Sequence, residues 1–181
     1  MSKIIVLSSS LNPKSRSRIM AREGLARLEE TEGVEVEYID LAEACLPPCD
    51  GGAAYGHEKT GAFKKQMMSA QGYLIATPVY NYDVNSTLKN AIELTGRDVW
   101  TNKVAAFMCA AGGHGSYMSV MAVANSLMLD FRTIIVPRFV YATGGDFEDG
   151  RVTNDEIATR IDGVVADLTR FTNALAPKPA E

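Results

Sequence analysis

Ile4-Ile5-Val6-Leu7 runs directly into Ser8–Ser17, SSSLNPKSRS, and this junction decides the fold. Four apolar, mostly β-branched residues ending in a polar loop, with helix-compatible sequence behind it, make a buried parallel strand whose carboxyl end carries hydroxyls and cations. Open α/β sheets bind their ligands at that end. The loop offers Ser8, Ser9, Ser10, Ser15 and Ser17 as hydroxyl donors and Arg16 as a planar cation. A helix opening near Arg16 adds free N–H groups, and the whole set suits a phosphate. The loop has no glycine, so it neither follows G-x-G-x-x-G nor carries the G-K-[ST] of a nucleotide-hydrolysing loop. A terminal monophosphate held by side chains fits it better than a pyrophosphate. The same residues also read as a solvated serine-rich turn capping a helix.

Beyond this loop, Ala21, Gly24, Leu25 and Leu28 recur at helical spacing among charged residues, the pattern of a helix lying on a sheet. Val34, Val36 and Tyr38 alternate with Glu35 and Glu37, which fits a strand at a sheet edge. Leu41 to His57 reads as a long surface loop, and Phe63, Met67 and Ala70 mark a short helix. Tyr73–Ala76 is a second apolar strand, stopped by Thr77 and Pro78, with Leu88, Ala91, Ile92 and Thr95 on one face of the following helix. Val104–Cys109 is the next strand; it opens into a glycine-rich loop and then a methionine-rich helix, Ser119–Asp130, apolar on nearly every side. Such a helix needs cover on two sides, which implies a subunit interface. Thr133–Val136 forms the fifth strand and continues past Pro137 as a looser extended segment. Thr153 and Glu156 form a capping box for a final helix through Ile157, Ile161, Val164, Leu168, Phe171 and Leu175. Five strands alternating with five helices define an α/β doubly wound parallel sheet in three αβα layers, and the edge-like second strand gives the order 2-1-3-4-5. The chain reads as one domain, 1–176, with a frayed tail at 177–181.

With 18 basic and 22 acidic residues the net charge is only −4, so neither nucleic acid nor an anionic membrane is an evident partner. No apolar run has the length of a membrane span or a secretory core, and the expected location is the cytoplasm. Cys45, Cys49 and Cys109 are an odd set without an export signal, which argues against a disulfide framework. Cys45 and Cys49 flank two prolines with no further ligand nearby to complete a metal site, and they read as ordinary loop cysteines. His57 and His114 read as loop residues, not catalytic ones.

In the order 2-1-3-4-5 the loops after the first, third and fourth long strands meet along one rim. The first suits a phosphate. The second carries Pro78, Val79, Tyr80, Asn81 and Tyr82, and the third has unencumbered N–H groups at Gly112, Gly113 and Gly115. A ligand spanning them has a phosphate, a spacer and a planar heteroaromatic body, which is the shape of FMN. The chain resembles the NAD(P)H-dependent FMN reductase family of flavodoxin-like proteins. SSSLNPKSRS is similar to that family's first-loop pattern through Ser10, Ser15, Arg16 and Ser17, with Ser9 where the family usually has glycine and Asn12 where arginine is common. TPVYNYDVNSTLKNAIEL resembles its second motif through Pro78, Val79, Tyr80 and Asn81, and AAGGHGSY its third.

The resemblance implies an FMN enzyme. NADH or NADPH passes a hydride to flavin N5, and electrons then pass to a small-molecule acceptor such as free flavin, a quinone, an azo compound or a metal species. Ser9, Ser10, Asn12, Ser15, Arg16, Ser17, Pro78, Val79, Tyr80, Asn81, Gly112, Gly113 and Gly115 are the implied cofactor-binding residues. No side-chain acid or base and no metal is required. The resemblance also implies association as a homodimer or homotetramer. A flavodoxin-type electron carrier is the alternative, though such carriers resemble strongly acidic proteins, and this chain is near neutral.

Overall fold

Alternation along the strands places the core. In the computed structural model, which describes residues 1–175, β1 (Ser2–Ser8) is buried along nearly its whole length. Ile4 and Val6 face one side and Ile5 and Leu7 the other. Helices therefore cover both faces of the sheet. Helix α1 (Arg16–Glu29) returns along one face, and β2 (Val34–Asp40) follows as the edge strand. The expected long loop at 41–57 is broken by a four-residue helix, α2 (Leu41–Ala44), and a 3-10 turn at Ala53–Gly56. Two side chains cause this. Asp40 accepts from the N–H of Ala42 and caps α2, and Asp50 accepts from the N–H groups of Gly52 and Ala54.

Helix α3 (Glu58–Met68) leads to β3 (Gly72–Tyr80), which does not stop at Pro78. Beyond Pro78, two residues past the end of its pairing with β1, the strand overhangs the sheet and folds back on β4 (Asp83–Val84). Asn81 and Tyr82 both have positive φ, so this is a two-residue hairpin turn whose twist suits the strands. Helix α4 (Ser86–Trp100) carries the expected buried face of Leu88, Ala91, Ile92 and Thr95, and breaks at Gly96, where φ is 55°. Strand β5 (Val104–Ala110) is wholly buried, and α5 (Met121–Phe131) follows.

Strand β6 (Ile134–Ala142) runs through Pro137 because the ladder to β5 slips between Ala105 and Phe107. Proline sits in that bulge without removing a ladder hydrogen bond. A hairpin, β7 (Phe147–Glu148) and β8 (Arg151–Val152), precedes α6 (Asp155–Leu175). The cap of α6 is Asn154, not Thr153: the Asn154 side chain accepts from the N–H of Glu156, and the Thr153 N–H donates to the Asp146 carbonyl. The long strands lie in the order β2-β1-β3-β5-β6, the expected 2-1-3-4-5. Helices α3, α4 and α5 pack over Ile5, Leu7, Ile75 and Phe107, and α1 and α6 over Ile4, Val6, Leu74 and Met108. Gly24 lets α1 sit this close, since a Cβ there would meet Leu74 at 2.6 Å. The predicted frayed tail at 177–181 lies outside the described residues.

Candidate functional site

Parallel pairing brings three loops to one rim. Ser8 of β1 lies opposite Ala76 of β3, and Pro78 of β3 opposite Ala110 of β5. The first and third loops are thus two strand spacings apart, about 10 Å.

The first loop is held from beneath by Asn85, a buried residue at the start of α4. Its Oδ1 accepts from Ser9 Oγ at 2.8 Å and from Thr77 Oγ1 at 3.1 Å, and its Nδ2 donates to the Ser9 carbonyl at 2.7 Å. The Ser9 N–H donates to the Ala76 carbonyl. Ser9 is therefore turned inward, joining the first loop to the second. From the other side Arg18 donates through Nη2 to the Ser10 carbonyl at 3.1 Å and through Nη1 to the Asn12 carbonyl at 3.2 Å. The same guanidinium donates from Nη2 to Asp40 Oδ1 at 3.2 Å, and its Nε lies 2.8 Å from Oδ2, so the loop is anchored to the end of β2. Asn12 folds the loop by accepting from the N–H of Lys14 on its side chain and from the N–H of Ser15 on its carbonyl.

These ties leave the opening turn of α1 open. Ser15 at its N-cap makes no capping hydrogen bond and the first turn has no acidic residue. The N–H groups of Arg16, Ser17 and Arg18 find no acceptor among the described residues. Ser15 Oγ and Ser17 Oγ, both buried, lie 2.7 Å apart. One hydrogen bond between two hydroxyls uses one proton and leaves the other free to donate. Ser10 Oγ accepts from the N–H of Asn12 and keeps its own proton. The Arg16 guanidinium has no carboxylate partner among the described residues and lies against Gly144, where a Cβ would meet Arg16 Nη2 at 3.2 Å. A tetrahedral anion matches this donor set.

In the second loop Pro78 is buried, Val79 half-buried, and Tyr80 and Asn81 exposed. In the third, Gly112, Gly113 and Gly115 are exposed, and a Cβ added at any of them would point into open space. Nothing in the chain's own packing demands glycine there, whereas a ligand lying flat against that backbone does. The N–H groups of Gly112 and Gly113 find no acceptor among the described residues. Tyr141 holds this loop by donating to the Gly113 carbonyl at 2.5 Å and pairing with Ser116 Oγ at 2.7 Å. Tyr117 packs against Phe139 and Tyr141. Asn85, Arg18, Asp40 and Tyr141 were not singled out by sequence.

The remaining groups lie away from this chemistry. His57 caps α3, accepting through Nδ1 from the N–H of Lys59. His114 is exposed. Burial pushes the Cys109 thiol up to about 12, which keeps it protonated and unreactive. Cys45 is exposed, and Cys49 Sγ lies 3.6 Å from Tyr55 Oη. No helix among the described residues is long and apolar enough to cross a membrane.

A doubly wound sheet that brings a helix start, with N–H donors unpaired among the described residues, and an open glycine backbone to one rim is the arrangement in which open α/β sheets bind mononucleotides. Residues 2–148 match the family model of NADPH-dependent FMN reductase, and the chain belongs to that family. It is 29% identical to an NAD(P)H:quinone oxidoreductase of Solanum tuberosum over 97% of this chain and 95% of that one. An Arabidopsis thaliana NADPH:quinone oxidoreductase is 28% identical over 97% and 94%. Among solved structures, an apo NADH:FMN oxidoreductase superposes with a TM-score of 0.78 at 16% identity, covering 99% of this chain and 92% of that one. The flavoenzyme NAD(P)H:acceptor oxidoreductase FerB from Paracoccus denitrificans gives 0.76 at 22%, covering 96% and 98%. The chain is an NAD(P)H-dependent FMN oxidoreductase, which answers the carrier alternative in favour of the enzyme.

Proposed function

We propose that FMN lies along this rim with its phosphate on the opening turn of α1 and its ring over the second and third loops. Ser10, Ser15, Arg16 and Ser17 bind the phosphate, while Ser9 and Asn12 act by giving the loop its shape. Pro78, Val79, Tyr80 and Asn81 border the ring, and the backbone at Gly112, Gly113 and Gly115 lies beside its polar edge. One observation carries this reading: three N–H groups without acceptors among the described residues and an unused hydroxyl proton converge at a helix end with no acidic residue in its first turn. Bound FMN supplies N5 as the hydride acceptor. The chain's own groups orient the reactants and place N–H donors where negative charge develops, so no side chain needs to move a proton.

The acceptor we assign is a quinone, and the exposed rings of Tyr80, Tyr82 and Tyr117 offer flat surfaces for it. Two copies associate through the outer face of α5, where Leu129 is 84% exposed, and the enzyme works in the cytoplasm. Apo-protein mixed with excess FMN and desalted should stay yellow. The flavin should bleach anaerobically with NADPH or NADH and recolour with p-benzoquinone. Arg16→Ala should weaken FMN retention by about 1.5–3 kcal/mol, the scale of a charge-assisted hydrogen bond. A colourless protein that also fails to quench FMN fluorescence sinks the reading.

A further inference from the structure

Beside the phosphate cradle the flank of α1 opens into a second cleft of about 640 Å³, walled on its far side by the β7–β8 hairpin. This is within the size range of small-ligand sites. It shares Ser15 and Arg16 with the cradle and runs along α1 past Ile19 and Arg22 to Ala26. Its chemistry is divided between the walls. Lys14, Arg16 and Arg22 stand on the α1 side without carboxylate partners among the described residues, beside Arg18, which is paired with Asp40, and Glu23, which is paired with Arg27. Arg22 is held with its guanidinium 4.0 Å over the Tyr38 ring. Glu148 and Asp149 stand on the hairpin side, where Asp149 and Gly150 both take positive φ in a tight turn. Ile19 and Phe147 give the cleft apolar surface.

We infer that this cleft takes the adenosine-phosphate half of a dinucleotide. Cations near the cradle suit a second phosphate, carboxylates opposite suit the hydroxyls of a ribose, and the apolar surface suits a flat base. The inference rests on FMN phosphate occupying the α1 cradle, because contiguity with that phosphate is what makes the occupant a dinucleotide. Two sources share the chemistry. One is FAD, whose adenylate continues directly from the flavin phosphate. The other is the nicotinamide donor, whose adenosine half extends away from the ring.

Titration calorimetry of FMN-loaded protein with 5′-AMP and 2′,5′-ADP tests the cleft directly, alongside FAD and FMN titrations of the apo-protein. At least one nucleotide should bind, and Arg22→Ala should weaken it about tenfold, the effect of losing one charge-assisted hydrogen bond, with FMN affinity unchanged. Lys14→Ala, at an exposed side chain, should act in the same direction if Arg22→Ala disturbs folding. A fall in the FAD-to-FMN affinity ratio in either variant identifies the flavin dinucleotide. A raised KM for NADPH with constant kcat, and competition of 2′,5′-ADP against NADPH, identifies the nicotinamide one. If FMN binds but neither nucleotide does, and both variants leave the FAD-to-FMN ratio and the NADPH KM unchanged, the cleft is not a nucleotide site although the flavin site stands. If FMN itself does not bind, both assignments fall.

Discussion

The first and third loops of the rim are built on opposite plans. Ser9–Ser15 is tied from two sides, by Asn85 beneath and by Arg18 beside it, so its donors are fixed before any ligand arrives. Gly112–Gly115 has open space around it and one strong tie, the Tyr141 hydroxyl on the Gly113 carbonyl. A phosphate needs fixed donors, because hydrogen bonds to an anion lose strength quickly with misalignment. A planar ring needs a flat backbone and freedom to exchange partners above it. The contrast places the rigidity of the rim at its α1 end, where the phosphate is proposed to sit, and each tie can be cut separately.

Asn85→Ala should do the most damage. It removes three buried hydrogen bonds and strands the Ser9 hydroxyl and carbonyl, while the Thr77 hydroxyl keeps the Pro78 carbonyl as acceptor, a loss of about 3 kcal/mol. The Asn85 side chain makes no capping bond to α4, so the loss reports the joint between the first two loops and not the helix start. A lower urea midpoint with an unchanged slope, together with weaker FMN retention, is the expected result. Stability within about 0.5 kcal/mol of wild type, the range of an ordinary surface change, would mean that the first loop is not held from beneath.

Arg18→Ala comes next, at about 2 kcal/mol. It leaves Asp40, whose side chain is 4% exposed, without its cation, and Arg18 itself is partly solvated, so the cost falls below that of a fully buried pair. Flavin affinity should fall with stability, whereas Arg16→Ala should lower affinity alone. Equal stability losses in the two variants, by urea denaturation, would erase the distinction between the arginine that anchors the loop and the one proposed to meet the ligand.

That distinction also marks where sequence stopped being informative. The strands could be read because Ile4–Leu7, Tyr73–Ala76 and Val104–Cys109 are unbroken apolar runs, and a run signals burial without any knowledge of its neighbours. The first loop could be read as a donor-rich turn because serines, a cation and a helix start lie side by side in the chain. The supports of the rim could not, since Asn85 bonds Ser9 of the first loop across 76 positions and Tyr141 bonds Gly113 of the third across 28. Arg16 and Arg18 look alike in SRSR. A helix turns about 100° per residue, so two positions point them in nearly opposite directions, one to Gly144 and the other to Asp40. Pro78 reads as a strand end and Pro137 as the start of a looser extended segment, because the pairing of β3 through Pro78 and the bulge of β6 are properties of the paired sheet.

At the loose end of the rim, Tyr141→Phe keeps the packing against Tyr117 and removes only the hydroxyl. The Gly113 carbonyl and Ser116 are partly exposed and can turn to water, so the stability cost should be about 1 kcal/mol. The effect belongs in local motion. Hydrogen exchange should quicken at residues 112–116 while the first loop stays protected. Equal quickening in both loops would show that they move as one unit and that the contrast between them is false.

The smallest effect is a pH dependence at the support behind Arg16. Asp146 accepts from the Thr143 N–H at 2.6 Å, from the Thr143 hydroxyl at 3.2 Å and from Asn154 Nδ2 at 2.6 Å, and so fixes the turn that contains Gly144. Burial pushes its pKa up, but these hydrogen bonds outweigh burial and hold the carboxyl below its ordinary value. A carboxyl depressed in the folded state contributes stability that is fully present above the unfolded pKa, about 3.9, and is lost as pH falls through the folded value. Urea unfolding from about pH 5 downward should therefore show wild type losing more stability than Asp146→Asn, whose amide keeps the size but has neither the charge nor the second acceptor oxygen. The same variant should loosen the ground under Arg16 and slightly weaken FMN, with no change in exchange at Gly112–Gly115. Parallel pH curves for the two proteins would mean that the turn behind Arg16 does not depend on that charge, and the rigid end of the rim would then rest on Asn85 and Arg18 alone.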